Sequence, residues 1–157
     1  MSRAKYTMDE ILDMAITREI EAQELYRMMS GRVKEAHVRD ELLGLVSFEM
    51  EHQAILEKYR RDGLPEGWPG PGQAVDWKIT DGMDQPAVTP EIPLKDVFLL
   101  AAHREKNSHD FYLRLAGLFP PGLEKTLFKQ LAAAEAQHKS RVELLYSEVA
   151  FPQTDGG

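Results

Sequence analysis

Leu42-Leu43-Gly44-Leu45-Val46-Ser47-Phe48-Glu49-Met50-Glu51-His52-Gln53-Ala54-Ile55-Leu56 is the stretch whose reading decides the fold. Leu42, Leu45, Glu49, His52, Leu56 and the following Tyr59 recur at steps of three and four residues. That spacing keeps one stripe of a helix facing the inside of a bundle. Glu49 and His52 stand on the same stripe, three residues apart and therefore neighbours on the helix surface. Two polar side chains in the middle of an otherwise apolar seam call for a reason beyond packing.

Three more segments carry the same stripe. Leu12, Ala15, Glu19, Ala22, Tyr26 and Met29 form the first, and Phe98, Ala101, Glu105, Ser108, Tyr112 and Leu115 the third. Phe128, Leu131, Glu135, His138, Val142 and Leu145 form the fourth. A gap-free shift of 86 residues superposes the halves: Ala15 falls on Ala101, Arg18 on Arg104, Glu19 on Glu105, Tyr26 on Tyr112, Leu45 on Leu131, Glu49 on Glu135 and His52 on His138. Each half is one helix with a lone seam Glu, followed by a helix with Glu-x-x-His. Two such hairpins related by a pseudo-twofold axis turn all four Glu residues toward one cavity.

The spacing therefore predicts an all-α, four-helix bundle filling one domain, 1–157, with helices over about 7–31, 33–62, 94–118 and 122–149. Thr7-Met8-Asp9-Glu10 reads as a capping box opening the first helix. Asp62-Gly63 ends the second, and Pro120-Pro121 separates the last two. Residues 63–93, rich in Pro and Gly, are expected to be the long crossover that a ferritin-type bundle needs to return the chain to the far end. Trp68 and Trp77 are expected to pin it to the bundle.

With 157 residues, 43% of them hydrophobic and 29% charged, the chain has an ordinary globular composition,. A net charge of −7 argues against a nucleic-acid partner, which would require a basic face,. No apolar run reaches the roughly 20 residues of a membrane span. The Met1–Tyr6 segment lacks the apolar core of a secretory signal. A cytoplasmic address is expected, with neither nucleic acid nor membrane as a partner. The chain has no cysteine, which removes thiolate nucleophiles, iron–sulfur clusters and zinc–thiolate sites together,. Any metal must be held by Glu, Asp and His, ligands suited to iron, manganese or zinc.

An ionised Glu inside a bundle is costly unless it is paired or coordinates a cation. Four converging carboxylates repel too strongly to stay ionised unaided. Two divalent cations balance four carboxylates, and two neutral imidazoles complete the donor set. Glu19, Glu49, His52, Glu105, Glu135 and His138 are thus the expected ligands of a two-metal site. With five His in the chain, chance alone yields about half of one Glu-x-x-His,. Two in register on a repeat, each 30 residues after a seam Glu, form a specific pattern.

Glu19-Ile20-Glu21-Ala22-Gln23-Glu24-Leu25-Tyr26 resembles the first-helix motif of the rubrerythrin branch of the ferritin-like superfamily. Glu105–Tyr112 resembles its third-helix partner, and Glu49–His52 and Glu135–His138 resemble its Glu-x-x-His motifs; the likeness covers four helices but not the crossover. The resemblance implies a di-iron carboxylate protein that oxidises Fe²⁺ or reduces oxygen or peroxide, an oxidoreductase of ferroxidase or peroxidase type. Full-length rubrerythrins carry a cysteine-ligated rubredoxin domain; the cysteine-free chain implies an external electron-donor protein instead. Many rubrerythrins place a further Glu where this sequence has Ser108. The symmetrical six-ligand set also resembles bacterioferritin, which makes non-catalytic iron storage the alternative. Met50 occupies the place of bacterioferritin's haem-ligating Met, but a surface or packing role is expected there and haem is not. A homodimer is the expected assembly, with a storage cage as the rival.

Tyr26 and Tyr112, two turns beyond Glu19 and Glu105, are expected either to be core aromatics or to hydrogen-bond ligand carboxylates from behind. His37, His103 and His109 lie off the seam and are expected in solvent. So do Glu21, Glu24, Glu51 and Glu57, expected as surface charges.

Overall fold

The computed structural model describes residues 5–63, 74–76, 89 and 91–151. Four helices carry the chain: α1 (Met8–Arg32), α2 (Ala36–Asp62), α3 (Leu94–Ala116) and α4 (Leu123–Ala150). The all-α bundle of two hairpins is as expected, with ends shifted by up to three residues. Val33 is a buried connector rather than the start of α2.

The helix ends follow local chemistry. Thr7 Oγ1 accepts the Glu10 N–H at 3.1 Å, satisfying one of the unpaired donors of the first turn,. Its hydroxyl also donates to Glu10 Oε1 at 3.2 Å. Gly63 closes α2 at φ 79°, a left-handed conformation that suits glycine, and its N–H reaches the Tyr59 carbonyl at 2.9 Å,. The Pro93 carbonyl starts α3 by accepting from Asp96 and Val97 at 2.9 and 3.1 Å.

Packing runs along α1 with α2 and along α3 with α4. Two apolar layers then join the hairpins. One combines the start of α1 (Ile11, Leu12, Ala15) and the end of α2 (Leu56) with the end of α3 (Phe111, Leu115) and the start of α4 (Phe128, Leu131). The other combines Leu25 and Met29 of α1, Leu42 and Leu45 of α2, Phe98 and Ala101 of α3, and Val142 and Leu145 of α4. Burying each large side chain stabilises the bundle by about 1.5–3 kcal/mol relative to exposure. The two layers also fix direction: α2 stops at one end of the bundle and α3 begins at the other.

A short ribbon was not legible in the sequence. β1 (Lys5–Thr7) pairs antiparallel with β2 (Ala74–Asp76), with Tyr6 opposite Val75. It ties part of the crossover to the start of α1. Trp68 and Trp77 lie outside the described residues. No helix among the described residues is long and apolar enough to cross a membrane.

Candidate metal centre

Between the two apolar layers lies a polar one. Glu19, Glu49, His52, Glu105, Glu135 and His138 are all between 1% and 6% exposed, and they face one another across the bundle axis. Each helix contributes its mid-seam Glu; α2 and α4 add a His one turn later.

The layer has twofold geometry. His52 Nδ1 lies 3.0 Å from Glu135 Oε1, 3.5 Å from Glu49 Oε2 and 3.7 Å from Glu19 Oε2. His138 Nδ1 lies 2.9 Å from Glu49 Oε1, 3.6 Å from Glu135 Oε2 and 3.8 Å from Glu105 Oε2. Two overlapping quartets result: Glu19, Glu49, His52 and Glu135; then Glu49, Glu105, Glu135 and His138. Within each, one ligand atom per residue lies within 4.8 Å of the others. Glu49 and Glu135 belong to both. The imidazole rings stack with centroids 5.8 Å apart.

The tyrosines cross between hairpins. Tyr112 on α3 donates to Glu19 Oε1 on α1 at 2.5 Å. Tyr26 on α1 donates to Glu105 Oε1 on α3. Each phenol therefore engages the carboxylate of the other half. It holds one oxygen of that carboxylate and leaves Oε2 to face the centre.

Those remaining oxygens test whether a metal fits. Glu19 Oε2 and Glu105 Oε2 are buried without a hydrogen-bond partner. Buried carboxylate oxygens in that state carry an uncompensated desolvation cost. Both lie on the inner side of the layer, one in each quartet, at symmetry-equivalent positions. The donor set is oxygen and imidazole nitrogen without sulfur, which suits iron, manganese or zinc. The cluster can hold a metal ion.

The protonation pattern describes the same crowding. Burial pushes the Glu105 carboxyl well above its ordinary range, reinforced by the charges of Glu135 and Glu49,. Burial and the neighbouring Glu19 raise Glu49. Burial and Glu49 act upward on Glu135, but the neighbouring Glu105 carboxyl and the His138 and His52 imidazoles prevail and hold it below the usual carboxylate value. Burial works against charge on His52, yet the adjacent carboxylates of Glu135, Glu19 and Glu49 push it up to about 12. His138, opposed by burial and favoured by Glu135 and Glu49, rises to about 9. Both tyrosines are raised well above 10, first by burial and then by the nearby carboxylates. Without metal, protonated imidazoles stand in for cations.

Other residues depart from the sequence reading. His37 is exposed as expected, with Nε2 2.7 Å from Glu148 Oε2, and His103 is exposed. His109 is half-buried instead, its Nδ1 2.8 Å from the Ala132 carbonyl one turn before Glu135. Glu21 is no isolated surface charge: its Oε2 lies 3.6 Å from Arg18 Nη1 and 3.7 Å from Arg104 Nη1. Glu24, Glu51 and Glu57 are exposed. Met50 is 50% exposed on the outside of α2, with Sδ 3.8 Å from Arg27 Nη2. Gln23 is buried and donates to Gln53 Oε1 at 2.6 Å, a pairing that no motif announced.

No family model matches the chain, and no curated protein does. Among solved structures it is similar to a hypothetical protein from Pyrococcus furiosus. The two are 24% identical with a TM-score of 0.75, over 95% of this chain and 94% of that one. That likeness shows the fold alone.

Proposed function

We propose that the protein is a di-iron carboxylate oxidoreductase of rubrerythrin type, oxidising Fe²⁺ or reducing oxygen or peroxide. The supporting observation is the pair of overlapping quartets, each with its own His and outer Glu and both sharing Glu49 and Glu135. Sharing two carboxylates is the arrangement two adjacent cations require, whereas a single ion would leave one quartet unused. Glu19 and His52 would serve one position, Glu105 and His138 the other, both imidazoles through Nδ1. Manganese or zinc would satisfy the same donors.

Bound iron would supply one-electron redox chemistry at open positions on the pair. The chain's own residues prepare for that in three ways. The apolar layers above and below exclude water, which strengthens every charge interaction inside. The Tyr26 and Tyr112 hydroxyls hold the outer carboxylates in a fixed orientation and keep protons within the site,. His52 and His138 must give up their protons when metal arrives, so the site itself releases acid on loading. Repeated reduction would draw electrons from an external donor protein.

Anaerobic titration with Fe²⁺, followed by mixing with oxygen and separately with peroxide, tests the reading. About two irons per chain and a fast absorbance rise with either oxidant are expected. Binding without oxidation would leave a metal-binding or storage protein and remove the enzyme.

A further inference from the structure

We infer that a small cavity between α1 and α3 is the port through which a diatomic or triatomic oxidant, anionic or neutral, reaches the centre. Ala22 and Ser108 set its width, and Arg18 and Arg104 set its preference for anions. The inference rests on the metal-site reading above and adds the route and its selectivity.

The other approaches are closed among the described residues. Apolar layers seal both ends of the polar layer along the bundle axis. The α1/α2 and α3/α4 faces are packed along their lengths. On the α2/α4 side the two stacked imidazoles stand in the way, and the Phe48 ring lies 5.3 Å from that of His138. The α1/α3 side carries a cavity that reaches the site, with a volume of about 20 Å³. Its outer wall is half-buried: Arg18, Ala22, Arg104 and Ser108. Its inner wall includes Glu19 and Glu105, whose buried Oε2 atoms lack a partner.

Size and charge define the ligand. A volume of about one water excludes organic substrates and admits oxygen, hydroperoxide or a comparable small ligand. Ala22 and Ser108 occupy equivalent positions of the repeat, and both are small. A branched side chain at either would fill the opening. Arg18 and Arg104 are equivalent too, and their side chains are 13% and 14% exposed. Glu21 bridges them, which holds both guanidiniums in the wall. With two metals balancing the four carboxylates, permanently charged guanidiniums in a poorly solvated wall favour an approaching anion.

Azide is the probe, titrated into the oxidised iron-loaded protein and followed by its charge-transfer absorbance, with bound iron counted in parallel. Ser108→Val and, separately, Ala22→Val are each expected to keep two irons and, on rapid mixing, to slow azide binding by roughly tenfold. The Arg18→Gln/Arg104→Gln double variant is expected to weaken azide by roughly tenfold while leaving nitric oxide binding to the reduced protein unchanged. Unchanged azide binding rates in both Val variants with two irons bound overturn the port and leave the metal site standing. If Ser108→Val loses iron, Ala22→Val decides; iron loss in both makes these residues part of the site's framework and overturns the port. Equal weakening of azide and nitric oxide in the Arg variant overturns the charge preference. A wild-type protein that binds no metal overturns the site reading, and the inference with it.

Discussion

The two hairpins are equivalent where they meet and different where they face outward. On the inside, Glu19, Glu49, His52 and Tyr26 have counterparts Glu105, Glu135, His138 and Tyr112, and the distances around the two imidazoles agree to within 0.1 Å for each matching contact. One shell further out the match fails. Glu21 aligns with Asn107, Gln23 with His109, and Phe48 with Ala134. A centre shared by two halves constrains both equally, because moving one carboxylate displaces ligand atoms in both quartets. Residues outside it answer only to their local neighbours.

The largest test of that equivalence removes a shared carboxylate. Glu49→Ala and Glu135→Ala are each expected to abolish paired metal binding, by metal analysis after gel filtration, because each residue serves both quartets. Loss of only one metal in either variant would show that the two positions are independent. The outer carboxylates provide the next contrast. Glu19→Gln and Glu105→Gln are expected to weaken one position each and leave about one tight metal per chain. In the metal-free protein Glu105→Gln should be neutral or raise Tm, since the amide avoids the cost of ionising a buried carboxyl while its oxygen still accepts from Tyr26.

A pH series separates the halves by their histidines. His52 and His138 are raised in the fold, to about 12 and about 9, from an ordinary 6.5. A raised basic group stabilises fully below its unfolded value and loses that contribution as pH climbs through its folded value. Metal-free protein should therefore fall in Tm from pH 6.5 to 9, each imidazole contributing at most about 1.4 kcal/mol per pH unit. The raised carboxyls of Glu49 and Glu105 act with the same sign, and the lowered Glu135 matters only below its ordinary 4.5. Metal-loaded protein, with imidazoles already deprotonated, should lack this slope in thermal unfolding scans. The smallest expected effect is at the crossed tyrosines. Tyr26→Phe and Tyr112→Phe should each cost about 1 kcal/mol of metal-free stability and roughly tenfold in metal affinity. Unequal losses would show that the halves differ at the phenols as well.

Much of the site was legible because its residues obey a helical period. A bundle seam repeats every three or four residues, so a charged side chain on it is conspicuous, and all six candidate ligands are buried in the structure. The His109 contact with the Ala132 carbonyl and the Gln23–Gln53 pair left no such mark. They join helices by single polar contacts at positions where the period permits any polar residue. The β1–β2 ribbon was illegible for another reason. Three residues per strand are too few to establish an alternation, and the partners are separated by two whole helices.

By itself the sequence determined the four helices, their inward faces and the set of residues on the polar layer, because periodicity and the 86-residue repeat are local properties of the chain. Only the tertiary structure decided who meets whom. Running α1 antiparallel to α3 is what sends Tyr26 to Glu105 and Tyr112 to Glu19 rather than back to their own helices. The same crossing turns Arg18, Ala22, Arg104 and Ser108 into the wall of one cavity. Those outcomes depend on the direction and depth at which two helices pack, which side chains from all four helices set together.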